Sequence, residues 1–249
     1  MQTVWIVGDS TVESGHELHF GWGWALPAFL REDVRVNNHA KGGCSTRSFL
    51  QEERFEPVRA GMRRGDLLLI QFGHNDEKDD DRHTEPWADY AQNLTFFCKA
   101  AREAGARPVL ATPVSRRYFS GTTSLLYTHG EYAPAVRKTA ARLRVPLCDL
   151  ERSTRKLYLT LGPEKTAELF VNLRPGENPA YPDGLTDFTH FSRDGAMAAA
   201  ALLALALAAF PGPARLLRPD PPATAVPEAI LRSCEESANR ACKSPKDRL

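Results

Sequence analysis

The stretch Leu67-Leu68-Leu69-Ile70-Gln71-Phe72 is the sequence feature that most constrains the fold. It is almost continuously apolar, and it lies between Gly65-Asp66 and Gly73, which favour turns. A strand with one buried face alternates apolar and polar side chains, whereas a parallel strand covered on both faces is apolar throughout. The stretch therefore predicts a central strand of a parallel sheet that has helices on both faces.

Candidate strands and candidate helices alternate along the rest of the chain. Strands are predicted at about residues 3–7, 34–38, 67–72, 108–112 and 145–149. Helices are predicted to begin near residues 21 and 46 and to cover about 87–104, 132–143, 151–161 and 193–210, with a long irregular segment over 162–190. Strands that alternate with helices form parallel sheets through right-handed crossovers, so the pattern predicts an α/β fold.

Charge, cysteine spacing and hydropathy argue against nucleic acid or a membrane as a partner and against a scaffold held by disulfides or zinc. The 249 residues carry a formal net charge of +1 and no basic stripe, which argues against nucleic acid as a partner. The five cysteines are widely spaced and include no CxxC pair, which argues against a disulfide scaffold or a zinc knuckle. The most apolar segment, 196–210, has fifteen residues, fewer than the roughly 20 that a membrane span needs. We therefore expect this segment to be a packed helix and expect no membrane partner.

Six prolines between Pro211 and Pro227 predict that the chain leaves the domain there. We expect one α/β domain over 1–210. A Pro-rich linker and an appendage of unknown role are expected over 211–249, with a short helix over about 228–240. Met1 comes two residues before the first predicted strand, and no signal peptide is visible. The expectation is therefore a cytoplasmic protein, or a secreted one if the chain is a trimmed mature form. The oligomeric state is left open.

Ser10 follows the first predicted strand, in the turn Gly8-Asp9-Ser10-Thr11. In an open α/β sheet, ligands bind in the crevice outside the carboxyl ends of the strands, so this serine is well placed for chemistry. A serine hydroxyl is a poor nucleophile by itself. It needs a base, a carboxylate that orients the base, and hydrogen-bond donors for an oxyanion.

The chain offers candidates for each of these roles. Asp187 lies three residues before His190, a spacing that lets the carboxylate fold back onto Nδ1–H and leaves Nε2 to take the proton of Ser10. The backbone N–H groups of Ser10 and Gly43 and the side-chain amide of Asn75 are candidate oxyanion donors. Each residue alone is typical of an ordinary cap, turn or surface loop. The combination at successive strand ends favours a serine hydrolase.

The same residues resemble a known family. Gly8-Asp9-Ser10, Gly43, Gly73-His74-Asn75-Asp76 and Asp187-x-x-His190 resemble the four sequence blocks of the SGNH (GDSL-type) hydrolases. Within that superfamily, further stretches are similar to rhamnogalacturonan acetylesterases: Asn38-His39-Ala40-x-Gly42-Gly43-x-Ser45-x-Arg47-Ser48-Phe49, His129-Gly130-Glu131-Tyr132 and Thr189-His190-Phe191-Ser192-x-x-Gly195-Ala196. The resemblance covers about residues 3–210.

The resemblance implies a flavodoxin-like three-layer α/β/α sandwich with a five-stranded parallel sheet. It also implies the removal of acetyl groups from pectic rhamnogalacturonan through an acetyl-enzyme, with no metal or cofactor. By the family pattern Ser10 is the nucleophile, His190 the base and Asp187 its orienting carboxylate, while Ser10, Gly43 and Asn75 form the oxyanion hole. The chain departs from the pattern at Cys44, where the family commonly has Arg. This thiol is either buried or a source of sensitivity to thiol reagents.

Aromatic side chains near the strand ends are candidates for stacking on sugar rings, and we expect His74, Trp22 and Tyr181 to contact an acetylated oligosaccharide or polysaccharide. Packing within the loops is the alternative for each of them.

The sequence leaves three other functions open. One is an esterase or lipase that acts on another acyl ester, and a second is a non-catalytic carbohydrate-binding relative, against which the intact Ser10, Asp187 and His190 speak. The third is a metal hydrolase that uses His39, His74, Asp76 and His190, a set without a recognised ligand spacing.

Overall fold

The computed structural model describes residues 2–15, 17–224, 226–228 and 230–231. Its strands are β1 (Gln2–Gly8), β2 (Val34–Asn38), β3 (Leu67–Gln71), β4 (Arg107–Ala111), β5 (Phe119–Ser120), β6 (Ser124–Leu125), β7 (Leu147–Cys148), β8 (Phe170–Leu173) and β9 (Leu185–Phe191). Its helices are α1 (Trp22–Ala25), α2 (Thr46–Gln51), α3 (Glu56–Gly61), α4 (Ala91–Glu103), α5 (Tyr132–Leu143), α6 (Leu150–Ala167), α7 (Arg193–Ala208) and α8 (Pro211–Ala214). A 3₁₀ turn, Leu26–Phe29, follows α1, and a π-helical turn, Pro86–Tyr90, precedes α4.

A five-stranded parallel sheet forms the centre of the molecule, in the order β2-β1-β3-β4-β7. Val4 of β1 pairs with Val36 on one side and with Leu67 on the other. This is the strand order of flavodoxin-like folds, in which the sequence order reverses between β1 and β3. The predicted five-stranded parallel sheet is confirmed.

Both faces of the sheet are buried, as the apolar stretch of β3 predicted. Leu67 and Leu69 pack into a core with side chains of α1, α6 and α7. Leu68 and Ile70 point to the other face and pack into a second core with side chains of α2, α3, α4 and α5. The sheet is therefore the middle of three layers, and each core takes alternate residues of the central strands.

The loops after β1 and β2 are joined at the carboxyl edge of the sheet. The backbone N–H of Lys41 donates to the carbonyl of Gly8 at 3.0 Å, and the N–H of Gly42 donates to the carboxylate of Glu13 at 2.8 Å. Gly8 has no room for a side chain, because an added Cβ would lie 2.5 Å from the carbonyl oxygen of Gln71. Close packing therefore fixes where the turn after β1 begins.

The helix predicted over 193–210 is confirmed as α7, which begins at Arg193 as predicted and ends at Ala208. The hydroxyl of Ser192 caps it by accepting the N–H of Gly195 at 3.3 Å. None of the helices in the described part of the chain is both long enough and apolar enough to cross a membrane.

The segment 162–190, predicted to be irregular, contains the antiparallel hairpin of β8 and β9. The prediction that regular helix ends near Leu161 is right, because Gly162 has non-helical torsions (φ 74°, ψ 173°) that break α6 into two parts. The hairpin was missed because the exposed face of β8 and β9 is polar, and only residues at its base, such as Phe170 and Phe191, are fully buried.

The predicted departure of the chain at residue 211 is wrong for residues 211–218. The N–H of Arg31 donates to the carbonyl of Leu216 at 2.9 Å, and the N–H of Arg218 donates to that of Phe29 at 3.1 Å. Leu216 is only 4% exposed and belongs to the core that contains α7. The prolines therefore shape a turn that stays on the domain. The predicted helix over about 228–240 lies mostly outside the described residues.

Candidate active site

The turn after β1 is built around Asp9. Its buried carboxylate accepts the N–H of Thr11 at 3.0 Å and the hydroxyl of Thr11 at 2.7 Å. His74, three residues after the end of β3, donates Nδ1–H to the same carboxylate at 3.3 Å. Burial raises the pKa of Asp9, but the contacts with His74 and Thr11 outweigh it and hold the pKa below its ordinary value. A buried charged group thus fixes the backbone that carries Ser10.

Three side chains form a continuous hydrogen-bonded chain at this edge of the sheet. The Oγ of Ser10 lies 3.0 Å from Nε2 of His190, and Nδ1 of His190 lies 2.8 Å from Oδ2 of Asp187. A carboxylate can only accept, so Nδ1 carries the proton and the lone pair of Nε2 faces the serine hydroxyl. The structure therefore brings the predicted nucleophile, base and orienting carboxylate together.

Asp187 and His190 lie on a bulge of β9. Asn172 and Phe170 of β8 are two positions apart, but their partners on β9, Thr186 and Phe191, are five positions apart. The extra residues are closed into a tight turn by Oδ1 of Asp187, which accepts the N–H groups of Thr189 at 2.6 Å and His190 at 2.8 Å. The sequence spacing of three residues is thus realised as a turn inside a strand.

Arg117 stabilises this bulge through contacts with both strands of the hairpin. Its Nε donates to the backbone carbonyl of Asp187 at 2.8 Å, and its Nη2 donates to the side chain of Asn172 at 2.7 Å. Its guanidinium also lies over the ring of Phe188, 4.5 Å from the ring centroid. Nothing in the local sequence of Arg117 indicates a partner 70 positions away, so this role could not be predicted.

The hydrogen bonds of the pair shift both pKa values. The hydrogen bond to Asp187 raises the pKa of His190 above its ordinary value, against the opposing effect of desolvation. For Asp187, desolvation acts upward, but the hydrogen bonds from His190 and Thr189 prevail and lower the pKa to about 2. The carboxylate is therefore charged at neutral pH, and the imidazole is a stronger base than an isolated histidine.

The two other predicted oxyanion residues lie beside each other. Asn75 is 7% exposed, and its Nδ2 donates to the carbonyl of Cys44 at 3.0 Å, which leaves a second N–H of the amide. Gly43 has a φ of +81°, a conformation that glycine adopts without strain. Whether these donors act together with the N–H of Ser10 stays a prediction.

Cys44 is buried, and desolvation raises the pKa of its thiol. A buried thiol that stays protonated is a poor nucleophile, so the structure favours burial over sensitivity to thiol reagents.

Two of the three residues predicted to bind sugar do not present a surface to it. The prediction that Trp22 stacks on a sugar ring is wrong, because its ring is fully buried and its Nε1–H donates to the side chain of Gln71 at 2.8 Å. His74 is also wrong as a sugar contact. It is buried against Asp9, and desolvation lowers its pKa to about 4. Tyr181 is half-buried in the turn that joins β8 to β9, and its contact with a sugar stays a prediction.

His19 is a further neighbour of the base. Its ring stacks on that of His190, with centroids 4.7 Å apart and planes at 22°. Among the described residues, His19, Asp187 and His190 are the one group of side chains close enough to hold a metal ion, with their ligand atoms within 4.8 Å of one another. Two of these three already serve the hydrogen-bonded chain to Ser10. The set suggested for a metal hydrolase, His39, His74, Asp76 and His190, forms no such group in the described part of the chain.

A three-layer α/β/α fold with a Ser-His-Asp chain at the carboxyl edge of its sheet defines a serine hydrolase. The GDSL-like Lipase/Acylhydrolase family matches residues 6–198. The chain therefore belongs to this family, the GDSL or SGNH hydrolases, as its sequence blocks predicted.

Two curated relatives and one solved structure agree with this assignment. The chain is 47% identical to the rhamnogalacturonan acetylesterase RhgT of Bacillus subtilis over 204 residues, which cover 81% of this chain and 87% of the relative. It is 34% identical to the probable rhamnogalacturonan acetylesterase YesY of the same organism over 205 residues, 81% of this chain and 90% of the relative. The crystal structure of YxiM from Bacillus subtilis superposes with a TM-score of 0.68 at 25% identity and covers 81% of this chain and 55% of that one.

Proposed function

We propose that this protein is a serine acetylesterase that removes acetyl groups from acetylated rhamnogalacturonan. The observation that carries the proposal is the unbroken chain from Ser10 Oγ through His190 to Asp187, with contacts of 3.0 and 2.8 Å. The substrate follows from the 47% identity to a relative named rhamnogalacturonan acetylesterase.

The first half-reaction transfers the acetyl group to the protein. Nε2 of His190 takes the proton of Ser10 while Oγ attacks the acetyl carbonyl carbon, and the carbonyl oxygen becomes an oxyanion. As the tetrahedral intermediate collapses, the bond to the sugar oxygen breaks and the imidazolium protonates the leaving hydroxyl. Asp187 stays ionised throughout and stabilises the imidazolium.

The second half-reaction restores the enzyme. A water molecule gives a proton to Nε2 of His190 and attacks the acetyl-serine, and collapse of the second intermediate releases acetate and returns the proton to Oγ of Ser10. The N–H groups of Ser10 and Gly43 and the free N–H of Asn75 stabilise both oxyanions. Each such donor typically accounts for about 10²–10³ in turnover.

Acetate release from acetylated rhamnogalacturonan oligosaccharides tests the proposal, with acetylated xylan and 4-nitrophenyl esters of increasing chain length in parallel. We expect release from the pectic substrate with the wild type and none with Ser10→Ala. Ser124→Ala is the matched control, because Ser124 is an exposed serine in β6. The measurement is repeated with a chelator, which should have no effect.

Each alternative has its own outcome. Serine-dependent activity on long-chain nitrophenyl esters alone would replace the sugar substrate by another acyl ester. Binding of the oligosaccharide without hydrolysis would indicate a non-catalytic relative. Loss of activity with the chelator would favour a metal hydrolase.

A further inference from the structure

We infer that Arg82 is a positioning residue of the oxyanion site, which holds the side-chain amide of Asn75 in the orientation that stabilises the oxyanion. The inference rests on the proposed hydrolysis. Arg82 lies in the charged segment between β3 and the π-helical turn, which the sequence describes only as a solvated loop. Its Nη1 donates to Oδ1 of Asn75 at 3.2 Å.

The contacts of Asn75 show why this hydrogen bond matters for the orientation of its side-chain amide. Nδ2 has two hydrogens, and one donates to the carbonyl of Cys44 at 3.0 Å. The other hydrogen is available for an oxyanion only if Oδ1 points away from the site. With the amide flipped, Oδ1 would face the carbonyl of Cys44 and Nδ2 would face the guanidinium of Arg82. Both contacts would be repulsive, so Arg82 and Cys44 together select one orientation.

A charged donor also polarises the amide. A hydrogen bond from a guanidinium to an amide oxygen is stronger than one from a neutral donor, and hydrogen bonds in a chain strengthen each other. Electron density drawn toward Oδ1 makes the Nδ2–H groups of Asn75 better donors. The effect grows as negative charge develops on the substrate, so it acts more on the transition state than on bound substrate.

Arg82 reaches a second oxyanion residue as well. The same Nη1 lies 3.4 Å from the carbonyl oxygen of Gly43, in the turn after β2. One nitrogen thus bridges the loops after β2 and β3, each of which carries a predicted donor. This second contact ties the amide of Asn75 to the turn that carries Gly43, so it too acts through Asn75.

Arg82 is held in place before substrate arrives. Asp80 accepts Nε at 2.9 Å, Nη2 at 2.6 Å and the backbone N–H of Arg82 at 3.0 Å. The segment is tied down by Thr84, whose hydroxyl donates to the buried carboxylate of Asp76 at 2.9 Å. The guanidinium is thus preorganised although its side chain is 36% exposed. This exposure means that a substitution should leave the fold intact.

The test is a double-mutant cycle on the hydrolysis of 4-nitrophenyl acetate. Arg82→Met removes the guanidinium and retains most of the length of the side chain. We expect it to lower kcat by about 5–30-fold, less than the loss of a donor itself, with KM within about twofold of the wild type. In the Asn75→Ala background the same substitution should change kcat by less than about twofold, because its target is gone.

Arg31→Met is the matched control. Arg31 forms the same kind of two-pronged pair with a carboxylate two residues away, Asp33, at 3.0 and 2.8 Å, and both side chains are exposed. We expect this variant to match the wild type. Arg82→Lys should recover part of the loss, because it keeps the charge but not the planar donor.

Two results would overturn the inference. Wild-type kcat in Arg82→Met would mean that Asn75 is oriented without the guanidinium. An equal fall in both backgrounds would mean that Arg82 acts independently of Asn75. Failure of the proposed function is distinguishable from both, because in that case the wild type would show no hydrolysis that Ser10→Ala abolishes.

Discussion

Asp187→Asn separates the two tasks of one carboxylate. Oδ1 of Asp187 accepts the N–H groups of Thr189 and His190 at 2.6 and 2.8 Å, whereas Oδ2 faces Nδ1 of His190 at 2.8 Å. Asparagine keeps an oxygen for the backbone but presents an N–H to the imidazole. His190 must then carry its proton on Nε2, where it can no longer accept the proton of Ser10.

The expected loss is about 10⁴ in kcat, the size of the corresponding change in a serine-protease triad, or about 5.5 kcal/mol of activation free energy. The fold should survive. The pKa of Asp187 is lowered from 3.8 to about 2, which corresponds to at most about 2 kcal/mol of stability. Because the folded-state pKa is the lower one, this stabilisation is present above pH 3.8 and is lost as the pH falls through about 2.

The assay measures kcat and KM on 4-nitrophenyl acetate at pH 8, together with thermal unfolding by circular dichroism. A loss of about 2 kcal/mol corresponds to a fall of less than about 10 °C in Tm for a domain of this size. Asp183→Asn, at an exposed position on the same hairpin, is the control. A folded Asp187→Asn variant with activity within tenfold of the wild type would refute the assigned role of the carboxylate.

Three further predictions concern other parts of the molecule. kcat/KM should fall as the pH drops through the pKa of His190. Because the hydrogen bond to Asp187 raises this pKa, the midpoint of the acid limb in a pH–rate profile should lie above pH 6.5, and a midpoint below 6 would contradict the prediction. Asn75→Ala should lower kcat by about 10²–10³ in steady-state assays and change KM little, and full activity would remove Asn75 from the oxyanion hole. Leu216→Ala should lower the free energy of unfolding by about 2–5 kcal/mol in urea titrations, because Leu216 is only 4% exposed; an unchanged value would place residues 211–218 outside the core.

The features that could be predicted from the sequence are those encoded by neighbouring residues. The apolar run of β3 shows burial on both faces, and Ser10, Gly43 and Asn75 each lie within five residues of the end of a strand. Strands of a parallel sheet end at the same edge, so these three residues had to lie near one another. The spacing of Asp187 and His190 was also sufficient, because the carboxylate closes its own turn.

The features that could not be predicted depend on partners that are distant in sequence or look ordinary locally. Trp22 is an aromatic residue in or near a predicted strand-end loop, but its indole is buried in the core and donates a hydrogen bond to Gln71, 49 positions away. Arg82 lies among acidic residues that are typical of a solvated loop, and its contact with Asn75 requires the turn at Asp80. The strand β8 has only four residues, and the apolar residues of β9 recur at every third position instead of alternating, so neither strand carries the period-2 pattern that distinguishes a strand from a loop.

The bulge of β9 has a consequence for how this scaffold can change. Phe170 and Phe191 anchor the hairpin at its base, and the catalytic pair sits just beyond that anchor, closed on itself by Asp187. The turn that joins the strands, residues 174–184, lies on the far side of the paired residues Leu173 and Leu185. Insertions or exchanges in this turn can therefore alter the molecule's outer rim while the acid–base machinery keeps its position. The hairpin thus separates the catalytic pair from the turn that carries Tyr181, so a change in sugar contacts there need not move the acid–base machinery.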